Sequence, residues 1–93
     1  MLSFNQPVAP ATAERVQQRT SDVDQIVKAV TAPGTNQLDA TRLQAVFKGT
    51  AFEELATKFA GKAPDELRKE LSQAKYRSSI AVFKANAQRI GAQ

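Results

Sequence analysis

The sequence predicts an all-α protein: a small bundle of about four helices, with a long C-terminal helix and a loose N-terminus. Apolar residues recur at intervals of three and four along most of the chain. No run shows the two-residue alternation of a half-buried strand. The glycines are isolated and stand where the helical patterns end. A chain of 93 residues has room for one domain.

The N-terminal segment, residues 1–10, contains two prolines and no charged side chain. Proline fixes φ and lacks an N–H donor, so we expect this segment to be flexible. Residues 11–93 then form the single helical domain. The segment lacks the basic region and apolar core of a secretory signal, and no run of about 18 apolar residues predicts a membrane span.

The first helix is predicted over residues 11–31, where valines recur at helical spacing. Its apolar stripe consists of Val16, Val23, Val27 and Val30, with Ile26 beside them. Pro33 disfavours the helical region for the residue before it, and Gly34 tolerates a left-handed turn. We therefore expect this helix to end at the sequence Ala32-Pro33-Gly34.

Two short helices are predicted next. Asp39 is a candidate N-cap for a helix that Gly49 ends, and Thr50 and Glu53 have the spacing of a capping box for a following helix that ends near Gly61. The apolar faces of these two helices are expected to contain Leu43, Val46 and Phe47 in the first and Leu55 and Phe59 in the second.

The last helix is predicted from Pro64 to about Ile90, a length of about 40 Å at 1.5 Å per residue. Pro64 suits its first turn, where a missing N–H costs nothing. Two apolar stripes lie on opposite sides: Leu67, Leu71, Ala74, Ser78, Val82 and Ala85 on one, and Tyr76, Ile80, Phe83, Ala87 and Ile90 on the other.

Three interpretations of these stripes are open. The helix could break near Arg77-Ser78-Ser79, or its second half could be covered on two faces by neighbouring copies or a partner. In the third, the chain is a simple bundle in which Ala81, Ala85 and Ala87 are tolerated at the surface.

The composition excludes several kinds of chemistry. The chain contains no Cys and no His, so it has no thiol nucleophile, no imidazole base and none of the usual zinc ligands. Glu53 and Glu54 are sequence neighbours that do not face each other on a helix, and no glycine-rich phosphate loop is present. We therefore predict a protein that is not an enzyme, with no catalytic residues, no cofactor and no metal site.

The net charge of +4 comes from the last quarter of the chain. Residues 71–93 contain four basic side chains and no acidic one: Lys75, Arg77, Lys84 and Arg89. A basic helix suggests nucleic acid. The four side chains do not form one stripe on a continuous helix, so a solvated basic helix end, which complements its own dipole, is the favoured interpretation.

The same region resembles a known family. The sequence Pro64-Asp65-Glu66-Leu67, followed by Glu70-Leu71-Ser72, Tyr76-Arg77-Ser78 and Ala81-Val82-Phe83-Lys84 and ending at Ile90, is similar to the C-terminal helix of needle and inner-rod subunits of bacterial type III secretion systems. The resemblance covers about 27 residues. It implies a bacterial protein, cytoplasmic before export, whose copies assemble into a hollow helical filament within the secretion apparatus.

The resulting hypothesis is a subunit that associates through its C-terminal helix with copies of itself or with other subunits of an assembly. The interface is predicted to contain Tyr76, Ile80, Phe83, Ala87 and Ile90, with Lys75, Arg77, Lys84 and Arg89 at a basic rim or lumen. Phe83→Asp would then abolish assembly and leave the helicity of the monomer nearly intact. The alternative is a small basic cytoplasmic binding module, adaptor or inhibitor that contacts an acidic protein or nucleic acid.

Overall fold

The computed structural model describes residues 20–91. This range contains five α-helices and one 3-10 helix: α1 over residues 20–30, α2 (Ala40–Phe47), α3 (Leu55–Lys58), α4 (Pro64–Leu71), the 3-10 helix (Ala74–Ser79) and α5 (Ile80–Gly91). The 3-10 helix leads directly into α5, and we call the two together the C-terminal helix. The predicted all-α class, with a long C-terminal helix, is confirmed for this range. The predicted loose segment 1–10 and Val16 lie outside the described residues.

Local signals set the ends of several helices where the sequence predicts them. The carboxylate of Asp39 accepts a hydrogen bond from the Arg42 N–H at 2.9 Å, which caps α2. Gly49 and Gly61 adopt positive φ angles of 82° and 79°, a conformation that glycine tolerates better than other residues. Pro64 occupies the first turn of α4, whose N-cap is Ala63.

The predicted capping box at Thr50 and Glu53 is wrong in detail. The Glu53 carboxylate accepts from the Gly49 N–H at 2.7 Å, one residue before the expected donor. The Thr50 hydroxyl donates to the Phe47 carbonyl and accepts from the Phe52 N–H. These bonds stabilise a turn, and α3 begins only at Leu55.

The chain from Pro64 to Ile90 does not form one helix: it is divided at Ser72 and Gln73, and there is no break near Arg77-Ser78-Ser79. Gln73 has an extended conformation, with φ −72° and ψ 149°. The Ser72 hydroxyl donates to the Arg68 carbonyl at 2.8 Å, a local bond that competes with helix propagation. The chain remains helical through Ser78 and Ser79, where the 3-10 helix passes into α5.

The hydrophobic core receives side chains from every helix in the described range. Its centre is an aromatic group in which the Phe47 and Phe83 rings lie 4.8 Å apart between centroids, and the Phe52 and Tyr76 rings 4.7 Å apart, both edge-to-face. The fully buried apolar side chains around this group include Ile26, Val27, Val30, Leu43, Val46, Leu67 and Leu71. One contiguous core therefore unites α1, α2, α4 and the C-terminal helix.

The loop that follows α1 and the loop that precedes α4 are joined through their backbones. Leu38 donates its N–H to the Lys62 carbonyl and accepts from the Gly61 N–H, both at 2.9 Å. Leu38 also forms an isolated antiparallel bridge with Thr31. The loop that ends α1 is thereby fixed to the loop that begins α4.

The burial of Phe83 predicts a severe loss of stability in Phe83→Asp, contrary to the hypothesis that this variant retains its helicity. Phe83 is 0% exposed, so the substitution removes core packing worth about 3–5 kcal/mol and also buries an unpaired carboxylate. Far-UV circular dichroism during urea unfolding measures the change. Val82→Asp is the matched control, since the 50% exposed Val82 should lose about 1 kcal/mol or less. A folded Phe83→Asp variant with wild-type stability would contradict the structure.

Candidate interaction surface

The stripe predicted as an interface lies inside the folded chain. Tyr76, Ile80, Phe83 and Ala87 are all 4% exposed or less, and Ile90 is partly buried against the same core. The opposite stripe has Leu67 and Leu71 in the core but exposes Ala74, Ser78, Val82 and Ala85. The predicted interface is therefore corrected: in this structure its residues are the packing face of the C-terminal helix.

The division at Ser72 and Gln73 explains this exchange of faces. Each stripe was derived on the assumption of a continuous helix, in which the two lie on opposite sides. Because the chain turns before Ala74, the C-terminal helix brings Tyr76, Ile80 and Phe83 to the same core that receives Leu67 and Leu71. No neighbouring molecule is needed to cover the stripe that contains Tyr76, Ile80 and Phe83.

A small polar cluster spans this turn. The Tyr76 hydroxyl donates a hydrogen bond to the Glu70 carboxylate, and the Lys75 ammonium lies 3.7 Å from the same carboxylate. Lys75 also lies 5.2 Å from the centroid of the Tyr76 ring. The bond from Tyr76 is the main reason why the Glu70 pKa is lowered, and burial together with this carboxylate raises the pKa of Tyr76.

Two of the four basic side chains predicted at a rim or lumen form ion pairs within the fold. Lys75 pairs with Glu70, and the Lys84 ammonium lies 2.9 Å from the Asp22 carboxylate of α1. Arg77 and Arg89 are exposed, and no carboxylate in the described range forms an ion pair with either. These two arginines carry the unpaired positive charge of the C-terminal helix.

Arg77, Ala81, Ala85 and Arg89 follow one another at intervals of four residues along the outside of this helix, and Val82 lies beside them. We call these five residues the outer face. All five are exposed, and Val82 is the one large hydrophobic side chain that is exposed within the described range. At 100° per residue, Val82 lies about 60° from Ala85 and about 20° from Arg89 around the helix axis, whereas Arg77 lies about 140° away from it. The outer face therefore combines Val82 and Ala85 with the guanidinium group of Arg89.

Several other ionisable groups have structural contacts. Asp24 of α1 binds Lys28 and Arg68, which lowers the Asp24 pKa, and Arg68 also pairs with Asp65. A shallow cleft of about 280 Å³ beside α2 and α3 is lined by Gln44, Lys48, Glu53, Ala56 and Thr57. The Glu53 carboxylate in this cleft is already engaged by the Gly49 N–H.

Residues 20–91 contain no group of three acidic, His or Cys side chains placed to hold a metal ion. None of the helices described is both long enough and apolar enough to cross a membrane.

Comparison of the chain with known proteins found no matching family model, no matching curated protein and no matching solved structure. The type III secretion resemblance stays a prediction from sequence.

The outer face was not recognised as a unit from the sequence. In the sequence, Val82 and Ala85 belong to the stripe that begins at Leu67, and Arg77 and Arg89 do not share one side of a continuous helix. The four-residue spacing from Arg77 to Arg89 was the available signal. It could be interpreted only once the buried side of the C-terminal helix was known.

The Tyr76–Glu70 bond predicts a pH-dependent contribution to stability. The Glu70 pKa in the folded chain lies below the ordinary value of 4.5, so its contribution is present above that pH and is lost as the pH falls through the folded pKa. Tyr76→Phe should lower the free energy of unfolding at pH 7 by about 1–2 kcal/mol, and the difference from wild type should shrink near pH 3. Urea unfolding at both pH values measures this, and an equal difference at both would contradict the role of the bond.

Proposed function

We propose that this protein is a non-enzymatic subunit that acts by associating with other protein subunits, and that the outer face of its C-terminal helix makes the contact. The observation that carries the proposal is the exposure of Val82, which is 50% exposed on a helix whose other large apolar side chains are buried or partly buried. Association through this helix uses its exposed side, since the opposite side is occupied by the core.

The setting of Val82 supports this choice. A single exposed valine is ordinary on a monomer, so its exposure alone would carry little weight. Here it lies next to Ala81 and Ala85, whose small side chains let another backbone approach closely. Arginine is also enriched at protein interfaces, and Arg89 lies on the same side of the helix as Val82.

The proposal that the chain is not an enzyme rests on its chemistry. The sequence has neither Cys nor His, and the most buried carboxylates serve as hydrogen-bond or ion-pair partners of Tyr76, Lys75 and Lys84. A general base needs a free proton acceptor beside a site that can hold substrate. The carboxylate in the cleft beside α2 is that of Glu53, which already accepts a hydrogen bond from the Gly49 N–H.

The resemblance of residues 64–90 to needle and inner-rod subunits makes the proposal more specific. Under it, the partners are copies of this chain or other subunits of a bacterial secretion apparatus. The contact between subunits would then use the outer face and not the buried stripe of Tyr76, Ile80 and Phe83. The alternative function, a small basic module that binds an acidic protein or nucleic acid, uses the same face and is favoured by the unpaired Arg77 and Arg89.

The experiment compares wild type with Val82→Asp and Ala85→Glu. Ala45→Glu is the matched control, because Ala45 is an exposed alanine of α2 outside the outer face. Light scattering over a concentration series measures self-association, and retention of proteins from the producing cells on each immobilised variant measures association with other chains. Association should weaken at least about tenfold in the two outer-face variants, a change of about 1.4 kcal/mol, and persist in the control.

Circular dichroism checks that all three variants fold, as expected for exposed positions. Association that is equally strong in Val82→Asp, Ala85→Glu and wild type would overturn the proposal.

A further inference from the structure

We infer that the division at Ser72 and Gln73 is a hinge through which two copies of this chain exchange their C-terminal helices. In the exchanged dimer the hinge is straight, and the C-terminal helix of each copy packs on the core of the other. The inference goes beyond the proposed function, because it concerns the buried side of this helix and not the outer face. It rests on the conformation of Gln73, on the two apolar stripes and on the contacts that hold α5 in the core.

The hinge is one residue wide. Ser72 has right-handed helical backbone angles, φ −78° and ψ −10°, and the 3-10 helix begins at Ala74. Between them Gln73 is extended, with ψ 149°. Neither Gly nor Pro occupies the hinge, so each of its residues can adopt a helical conformation. A rotation about ψ of Gln73, with small adjustments beside it, would join α4 and the C-terminal helix into one continuous helix.

The apolar stripes suit this straight form in a dimer. On a continuous helix with 100° per residue, Leu67 and Leu71 face one side. Tyr76, Ile80 and Phe83 face the opposite side, about 170° away. The core of the same chain can then bury only the two leucines. A second core has to bury the other three side chains, and it lies on the far side of the helix, where the two copies do not collide.

A second copy offers the site that the C-terminal helix leaves. In the monomer this helix is held by the Phe47 ring, 4.8 Å from the Phe83 ring, and by the Asp22 carboxylate, 2.9 Å from the Lys84 ammonium. Both contacts can form again between copies, since the second chain carries identical side chains in the same places. The exchange is reciprocal, so the dimer closes with two-fold symmetry and leaves neither core open.

Concentration and the hinge decide between the two forms, because the monomer and the exchanged dimer bury the same core. Association costs translational and rotational freedom, which favours the monomer in dilute solution. Interconversion of folded chains requires the C-terminal helix to leave the core, so it is slow. Exchange is therefore expected when the chain folds at high concentration, and the dimer should survive later dilution.

Two substitutions at the hinge act in opposite directions. Ala74→Pro favours the bent form: Ala74 is the first residue of the 3-10 helix, whereas a proline inside a continuous helix removes a hydrogen bond and clashes with a carbonyl of the preceding turn. Proline also favours an extended residue before it, as Gln73 is. Ser72→Ala/Gln73→Ala favours the straight form, because alanine is the best helix former and the local bond from the Ser72 hydroxyl is lost.

Each full-length chain is unfolded in urea, refolded at about 1 mM, diluted and separated by size-exclusion chromatography with light scattering. We expect a dimer of the wild type, at least about fivefold more of it in Ser72→Ala/Gln73→Ala and at least about fivefold less in Ala74→Pro. The urea midpoint of monomeric Ala74→Pro should match that of the wild-type monomer. Equal amounts of dimer in Ala74→Pro and Ser72→Ala/Gln73→Ala, or no dimer of the latter, would overturn the inference.

The ion pair between Asp22 and Lys84 reports whether the helices are exchanged. Asp22→Lys makes both positions positive, and Lys84→Asp makes both negative. When the two variants are refolded together, exchange restores an opposite-charge pair in each half of the heterodimer, whereas each homodimer keeps two like-charge pairs. Native mass spectrometry should show the heterodimer in at least about threefold excess over the two homodimers together, where random pairing gives equal amounts.

A matched pair of variants controls for general attraction between the chains. Glu66→Lys and Lys48→Glu change the net charge in the same two directions at exposed positions of α4 and beside α2, and they should pair at random. Random pairing of Asp22→Lys with Lys84→Asp as well would show a dimer without exchange and would overturn the inference.

Native and refolded samples separate this inference from the proposed function. Association through the outer face equilibrates in chains that were never unfolded and is weakened by Val82→Asp. The exchanged dimer appears on refolding, and Val82→Asp should leave its amount unchanged. A refolded dimer that Val82→Asp abolishes and Ala74→Pro leaves intact would overturn the exchange and support the outer face. If Val82→Asp changes no association of native samples, the proposed function fails and the exchanged dimer is unaffected.

Discussion

The arrangement of the core depends on the change of direction at Ser72 and Gln73. A straight helix from Pro64 to Ile90 would turn Leu67 and Leu71 toward one side and Ile80 and Phe83 toward the other. The extended Gln73 removes this conflict, and the edge-to-face contact between Phe52 and Tyr76 gives the new direction a buried anchor. A single small core can then bury the apolar side chains of both α4 and the C-terminal helix. A chain of 93 residues has no room for a second core.

Polar contacts between distant segments reinforce this arrangement. The Asn86 amide donates to the Val46 carbonyl at 2.8 Å and joins α5 to α2, while Lys84 joins α5 to Asp22 of α1. The Arg42 guanidinium donates to the Ala29 carbonyl near the end of α1. Partly exposed ion pairs add little free energy, whereas a bond that satisfies a backbone carbonyl avoids the cost of leaving it unpaired. These contacts fix the orientation of helices that the apolar side chains alone would hold less specifically.

Sequence patterns predicted those features that depend on a few neighbouring residues. The N-cap at Asp39, the turns at Gly49 and Gly61 and the start of α4 at Pro64 all follow from local conformational preferences. The division at Ser72 and Gln73 was not predictable in this way, because neither Gly nor Pro marks it. The division determines which side of α5 faces the core. A continuous helix therefore gave the wrong outward-facing residues for α5.

The position of the charge gains its meaning from the same fold. Counted along the sequence, residues 71–93 are simply basic, which suggests a polyanionic partner. In the folded chain Lys75 forms an ion pair with Glu70, and Lys84 forms one with Asp22. Half of this positive charge is therefore paired within the monomer. What remains is two exposed arginines, of which Arg89 lies on the same side of the helix as Val82 and Ala85. A surface with an apolar centre and sparse cations discriminates between partners by shape as well as by charge, and a phosphate backbone would satisfy only its charge.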